Sequence, residues 1–149
     1  MSTYLQIIKK PDFFLDTVPT TKAMKVKNLI GYFHTIKPNK IEEEILSGIK
    51  INNERDLESS SDYFLNKGVK RVFISLGEKG LYYNDGTNKS YLPAHKIDVV
   101  NSTGAGDAFI AALVYCYYND FDIDYSARFA MAASVLALSH EDTINPHMS

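Results

Sequence analysis

The stretch Asn101-Ser102-Thr103-Gly104-Ala105-Gly106-Asp107 decides how the chain is read. An apolar approach rich in β-branched residues (Ile97, Val99, Val100) runs into it, and a long apolar helical run, Ala108 to Tyr118, leaves it. Strand, glycine-bearing turn and helix in that order gather unpaired backbone N–H groups and the positive end of a helix dipole at one place. Such a place binds anions, phosphate above all. Gly104 and Gly106 let the main chain approach the anion and take dihedrals that a side chain would bar. Asp107 and Ala108 stand where a Walker A loop needs a Lys and a hydroxyl residue, and Phe109 takes the place of the third glycine of a dinucleotide fingerprint. What remains is a carboxylate in the first helical turn beside a nest of N–H groups. It can take a proton from a hydroxyl while the nest stabilises charge on a transferring phosphoryl group, the pairing that a small-molecule kinase needs. An Asp near a helix start is also favourable through the dipole alone.

Working outward, Phe13 to Val18 reads as a buried strand. Thr20 or Thr21 caps a helix over Lys22–Tyr32 whose inner face is Ala23, Val26, Leu29 and Ile30. A short strand, His34-Thr35-Ile36, stops at Pro38, and Asn39 opens a helix with Glu42, Glu43 and Glu44 in its first turns and Gly48 at its end. A polar stretch from Asn52 to Ser61 leads into a helix through Tyr63, Phe64 and Leu65, closed by Gly68. Arg71–Leu76 is the clearest strand. Gly77-Glu78-Lys79-Gly80 turns the chain into Leu81-Tyr82-Tyr83, and Asn84-Asp85-Gly86 makes a hairpin back through Ser90-Tyr91-Leu92. A last helix runs from about Tyr125 to Leu138, and Tyr4–Ile8 reads as a possible helix end before Pro11. Strands alternating with helices, then a late hairpin, predict an α/β fold: a mainly parallel sheet with an antiparallel edge and helices on both faces.

Size and composition bound the function. A chain of 149 residues is one domain by the usual prior and long enough to bury a core. Its 45% hydrophobic and 23% charged residues are those of a soluble globular protein, and a net charge of −2 gives no electrostatic case for a nucleic-acid or membrane-surface partner. The lone cysteine, Cys116, suits a reducing cytoplasm, and its apolar helix makes it a structural thiol. No apolar run is long enough to span a bilayer and the N-terminus lacks a signal-peptide pattern, so a cytoplasmic chain is expected.

Three further segments carry candidate chemistry. Asn39 stands at a helix start after a strand end, where ligands of open α/β sheets lie; Glu42, three residues on, is spaced for a capping box with it. Ser75 and Gly77, in Ser75-Leu76-Gly77-Glu78-Lys79-Gly80, stand at a strand's carboxyl end, suited to a nucleotide and equally to a plain hairpin entry. Ala132, Ala133 and Ala137 suit close helix packing. His140-Glu141-Asp142 cannot converge on one ion and reads as a solvated loop. His34, His95 and His147 read as structural or exposed, and Tyr115, Tyr117 and Tyr118 as core.

Taken together, these segments resemble the PfkB (ribokinase-like) sugar and nucleoside kinases. The resemblance implies a partial ribokinase-like three-layer sandwich. Gly104, Ala105 and Gly106 would be the anion hole and Asp107 the catalytic base. Asn39 would lie near the nucleotide phosphates, with Glu42 acting through water on Mg2+, and Ser75, Gly77 and Thr103 would contact ATP. The alanines of the last helix would flank the adenine. Leu15-Asp16-Thr17-Val18, Thr21-Lys22-Ala23, His34 to Asn39, Leu46-Ser47-Gly48-Ile49 and Ala137 to Ser149 look like the pseudouridine kinase branch. Asn101, where most of the family has Asp, agrees with that branch and leaves open a monovalent-cation site near Asn101 and Thr103. The implied reaction is ATP-dependent phosphorylation of the pseudouridine 5′-hydroxyl. Ribose or another sugar or nucleoside is the alternative acceptor, and an inactive fragment that at most binds nucleotide is the alternative class. The resemblance covers nearly all of residues 1–149 but only the C-terminal, nucleotide-binding portion of a kinase domain of ~300 residues. Sugar-binding and lid segments, and the homodimer open to a full-length form, belong to the other half.

Overall fold

In the computed structural model, residues 13–16, 20–94 and 103–148 are described, with backbone alone for 20, 103–105 and 138–148. Alternation in the strands sets the layers. In β3 (Arg71–Ser75), Val72 and Ile74 enter one apolar cluster and Phe73 the other; in β4 (Leu81–Asn84), Tyr82 joins the first, and Leu81 and Tyr83 the second. The five strands lie in chain order: β1 (Phe13–Leu15), β2 (Phe33–Ile36), β3, β4 and β5 (Lys89–Leu92). The pairs β1–β2 and β2–β3 are parallel, and β3–β4 and β4–β5 antiparallel, so among the described strands the sheet is mixed, with the parallel strands first and the late antiparallel hairpin that the sequence predicts.

Helices α1 (Thr20–Lys27), α2 (Lys40–Ser47) and α3 (Glu54–Lys67) cover one face, where Ala23, Leu46, Leu57 and Phe64 meet Ile36, Val72 and Ile74. Helices α4 (Thr103–Tyr118) and α5 (Ile123–Met148) cover the other, with Phe109, Leu113, Ile123, Ala127 and Ala130 against Phe73, Leu81 and Leu92. Arg71 ties the sheet to this second layer: its guanidinium donates to Phe121 O at 2.8 Å and to Ser126 Oγ at 3.3 Å.

Several expectations change. The first helix stops at Lys27, and a 3-10 turn over Ile30–Tyr32 follows, burying Ile30 and leaving Leu29 exposed. There the main chain must pass the end of α3, since a Cβ on Gly31 would lie 2.2 Å from Lys67 O. The polar stretch after Asn52 is itself the start of α3: Asn53 caps it, accepting from Asp56 N at 2.9 Å, and Ser60 and Ser61 are buried with their hydroxyls on Leu57 O. Polar composition hid a helix whose serines satisfy themselves on its own backbone. Among the described strands β1 lies at the edge of the sheet, with Phe13 exposed. Tyr117 packs on Phe14 and His34, whereas Tyr115 and Tyr118 are exposed. The backbone of His140-Glu141-Asp142 is part of α5. The expected segments Tyr4–Ile8, Thr17–Val18 and Ile97–Val100, with His95 and Asn101, lie outside the described residues.

Candidate active site

The carboxyl ends of the three parallel strands are stitched side by side. Lys37 N–H donates to Leu15 O at 2.8 Å, Ser75 N–H donates to Pro38 O at 2.9 Å, and Asn39 and Ser75 form an isolated parallel bridge. These bonds bring Asn39, on the way out of β2, beside the end of β3.

Asn39 and Glu42 make a reciprocal capping box at the start of α2. Glu42 N–H donates to Asn39 Oδ1 and Asn39 N–H donates to Glu42 Oε1, both at 2.8 Å. The box uses the Asn39 oxygen and leaves its amide nitrogen as a donor at the cleft described next. Glu42 is buried. Among the described residues no three His, Cys, Asp or Glu side chains gather as a metal cluster. Glu42, buried behind the cap, could reach a cation beside the box only through water and ligand oxygens, the partial coordination that magnesium accepts, whereas Glu54 is the acidic residue that lines the cleft described next.

A cleft of about 630 Å³ opens between the start of α2, the start of α3 and the turn after β3. Asn39, Ser75 and Gly77 line it together, joined by Leu57, Lys79 and Tyr91, which sequence reading passed over. Gly77 has φ of +62°, so the 3-10 turn Gly77–Lys79 needs a glycine at its first position. The Tyr91 hydroxyl donates to Lys79 O and braces that turn from β5. Tyr91 left a faint signal, an aromatic on a strand opposite a glycine turn; Leu57 left none, because its helix was read as loop.

Among the described lining residues of this cleft Gly106 and Asp107 do not appear, and Thr103, Gly104 and Ala105 are placed by their backbone alone. They form the start of α4, which is already helical at Thr103, so the glycines lie within the first helical turns and not in a turn ahead of them. Asp107 is exposed. Gly106 is not among the positive-φ residues, and a Cβ built on it meets nothing within 4 Å. Among the described residues, neither backbone nor packing requires a glycine there. The start of α4 is anchored to the strand ends by Phe109, whose ring centroid lies 6.2 Å from that of Phe73 and 5.5 Å from Lys37 Nζ. Lys37 Nζ in turn lies 3.3 Å from Asp16 Oδ1 at the end of β1. In the last helix Ala133 packs against the core and Ala132 is exposed.

Comparison with known proteins agrees with this architecture. The chain is 39% identical over 137 residues to pseudouridine kinase of Escherichia coli (strain K12), covering 91% of this chain and 44% of that protein. It superposes with a TM-score of 0.82 and 47% identity on a crystal structure from Clostridium perfringens assigned as a sugar kinase, covering 94% of this chain and 45% of the other. Arabidopsis thaliana ribokinase complexed with ribose and ATP aligns with a TM-score of 0.67 and 26% identity, over 84% of this chain and 40% of that one. The chain thus spans less than half the length of these relatives. The profile of the pfkB family carbohydrate kinases matches residues 3–149, and the chain belongs to that family.

Proposed function

We propose that this chain carries the phosphoryl-donor side of an ATP-dependent kinase site whose acceptor is the 5′-hydroxyl of pseudouridine. The observation that carries the reading is the meeting of Asn39, Ser75 and Gly77 in one cleft at the carboxyl ends of the parallel strands, the usual ligand position in open α/β sheets. Asn39 presents its free amide donor to phosphate oxygens, and Ser75 and Gly77 border the nucleotide. Gly104, Ala105 and Gly106 offer backbone N–H groups at the start of α4 to the transferring phosphoryl group. Gly106 supports this role because the fold itself has no use for a glycine there. Asp107, exposed on the same turn, takes the proton of the acceptor hydroxyl. Magnesium, reached by Glu42 through water, supplies neutralisation of phosphate charge when bound. Thr103 contacts the nucleotide from its backbone position.

Likeness to the E. coli pseudouridine kinase favours that acceptor, and likeness to the ribokinase–ribose–ATP structure keeps ribose as the second. The length relative to these proteins favours one further reading, nucleotide binding by this chain without turnover. Assays of ATP-dependent phosphate transfer to pseudouridine, uridine and ribose, run beside calorimetric titration with ATP, separate the three. Transfer fastest to pseudouridine is expected of the complete enzyme. Asp107→Asn should then lower kcat by about 10²–10⁴, the usual worth of a general base, with ATP affinity unchanged. A variant that keeps most of its rate removes Asp107 from the mechanism, and a chain that neither binds ATP nor transfers phosphate removes the reading itself.

A further inference from the structure

Lys37 ends β2 and is 7% exposed. Its ammonium lies between two elements, 3.3 Å from Asp16 Oδ1 beyond β1 and 5.5 Å from the ring centroid of Phe109 on α4. It stands two residues before Asn39 and packs on Phe109, which stands two residues after Asp107, so this cation touches both segments that carry the proposed site, behind the residues that line the cleft.

Stability does not account for a lysine here. Taking an ammonium out of water costs several kcal/mol, and a carboxylate returns this only when the pair is well formed and dry. The Asp16 side chain is 37% exposed, so water weakens the attraction. A Met or Leu would fill the same space between β1 and α4 without that cost. A cation held at the carboxyl ends of parallel strands is explained instead by an anion that arrives there. Lysine acts on phosphate as a compact charge with three donors. Asp16 occupies part of that capacity, and a phosphate oxygen that joins or replaces the carboxylate keeps the ammonium paired.

We propose that Lys37 is the cation that meets the phosphate chain of the donor, between Asn39 and the Asp107 end of α4. The inference rests on the kinase reading above. Two probes make the failures distinguishable: tripolyphosphate reports the anion site alone, and adenosine reports nucleoside binding without phosphate. Titration calorimetry of wild type, Lys37→Met and Lys37→Arg with ATP, tripolyphosphate and adenosine should show more than tenfold loss of ATP and tripolyphosphate affinity in Lys37→Met. Adenosine binding should be unchanged, and Lys37→Arg should recover most of the loss. Asp16→Asn, which leaves the cation and removes its competitor, should tighten tripolyphosphate binding severalfold. That variant keeps the test decisive even where Lys37→Met does not fold, since unchanged or weaker binding overturns the proposal. ATP bound equally by wild type and Lys37→Met overturns Lys37 and leaves the kinase reading standing; adenosine lost in step with ATP reduces Lys37 to a packing residue and also overturns it. Lys37-dependent tripolyphosphate binding with no gain from the nucleoside part supports the anion site and overturns the nucleotide reading. A wild-type chain that binds none of the probes overturns both.

Discussion

Glu43 lies in α2 between Glu42, which its spacing from Asn39 marks, and Glu44, from which local sequence does not distinguish it. Packing separates them. Glu42 closes the capping box, Glu44 accepts from Ile51 N at 2.8 Å, and Glu43 is fully buried with neither carboxyl oxygen in a hydrogen bond. The Ser60 hydroxyl nearby is committed to Leu57 O at 3.2 Å. Burial pushes the Glu43 carboxyl up from 4.5 to about 8, with Ser60 opposing the shift weakly. The unfolded chain releases this proton near 4.5 and the folded chain holds it to about 8. Stability is therefore full below the lower value, declines as pH rises between them, and is flat above. Urea melts at several pH values should show wild type losing about 1.4 kcal/mol per pH unit across that window relative to Glu43→Gln. Equal slopes for the two proteins would show that Glu43 is ionised in the fold. Gly106 offers a second test at this scale. With a helical backbone and no neighbour within 4 Å, Gly106→Ala should stabilise the chain by about 0.5–1 kcal/mol while weakening ATP binding. Opposite signs in a thermal melt and a titration are expected; tighter or unchanged ATP binding would show that no anion approaches there.

Helix α2 joins the fold to the site, because the residue that starts it also faces the cleft. Asn39 uses its oxygen on the helix and has its amide nitrogen for a ligand, so the two roles are separable. Asn39→Ala should cost about 1 kcal/mol of stability through loss of the cap and weaken ATP binding as well. Asn39→Asp keeps a capping oxygen and a favourable charge at the helix start. It should hold the stability and still lose ATP affinity, since an acceptor replaces the donor. Denaturant melts beside ATP titrations check both, and an Asp variant that binds ATP as wild type does would assign Asn39 to the cap alone. Both ends of α2 were legible, from Asn39 with Glu42 at one end and Gly48 at the other, because caps are chemistry between residues a few positions apart. The start of α3 was not. Its first turns are Glu, Arg, Asp and Ser, and only Leu57 and Phe64 reaching the core show them to be helical.

At the scale of the fold, two helical layers cover one sheet, and among the described residues polar contacts join the sheet to each: Asn84 to Ser61 and Asp62 of α3 on one side, and Arg71 and Tyr83 on the other. Arg71 makes the longest-range pair, from β3 to the loop and helix beyond α4, and Tyr83 donates to Asp124 Oδ1 at 2.5 Å from β4 to α5. Arg71→Lys keeps the charge but cannot make the two-pronged contact, and should cost about 1–3 kcal/mol by leaving Phe121 O and Ser126 without their donor. Chemical denaturation measures this, and a loss under about 0.5 kcal/mol, the scale of an ordinary surface change, would show that the Arg71 contact adds little to the join. The order of strands and helices, the hairpin at Asn84-Asp85-Gly86 and the caps of α2 were determined by the sequence alone, because each depends on hydrophobic period or on groups within a few residues of one another. Which of three glutamates is buried without a hydrogen bond, which tyrosines are exposed, and the meeting of Asn39 with Ser75 and of Lys37 with Asp16 and Phe109 were decided only by the tertiary structure. Those distances depend on strand register and on how the layers pack, and neighbours along the chain do not specify them.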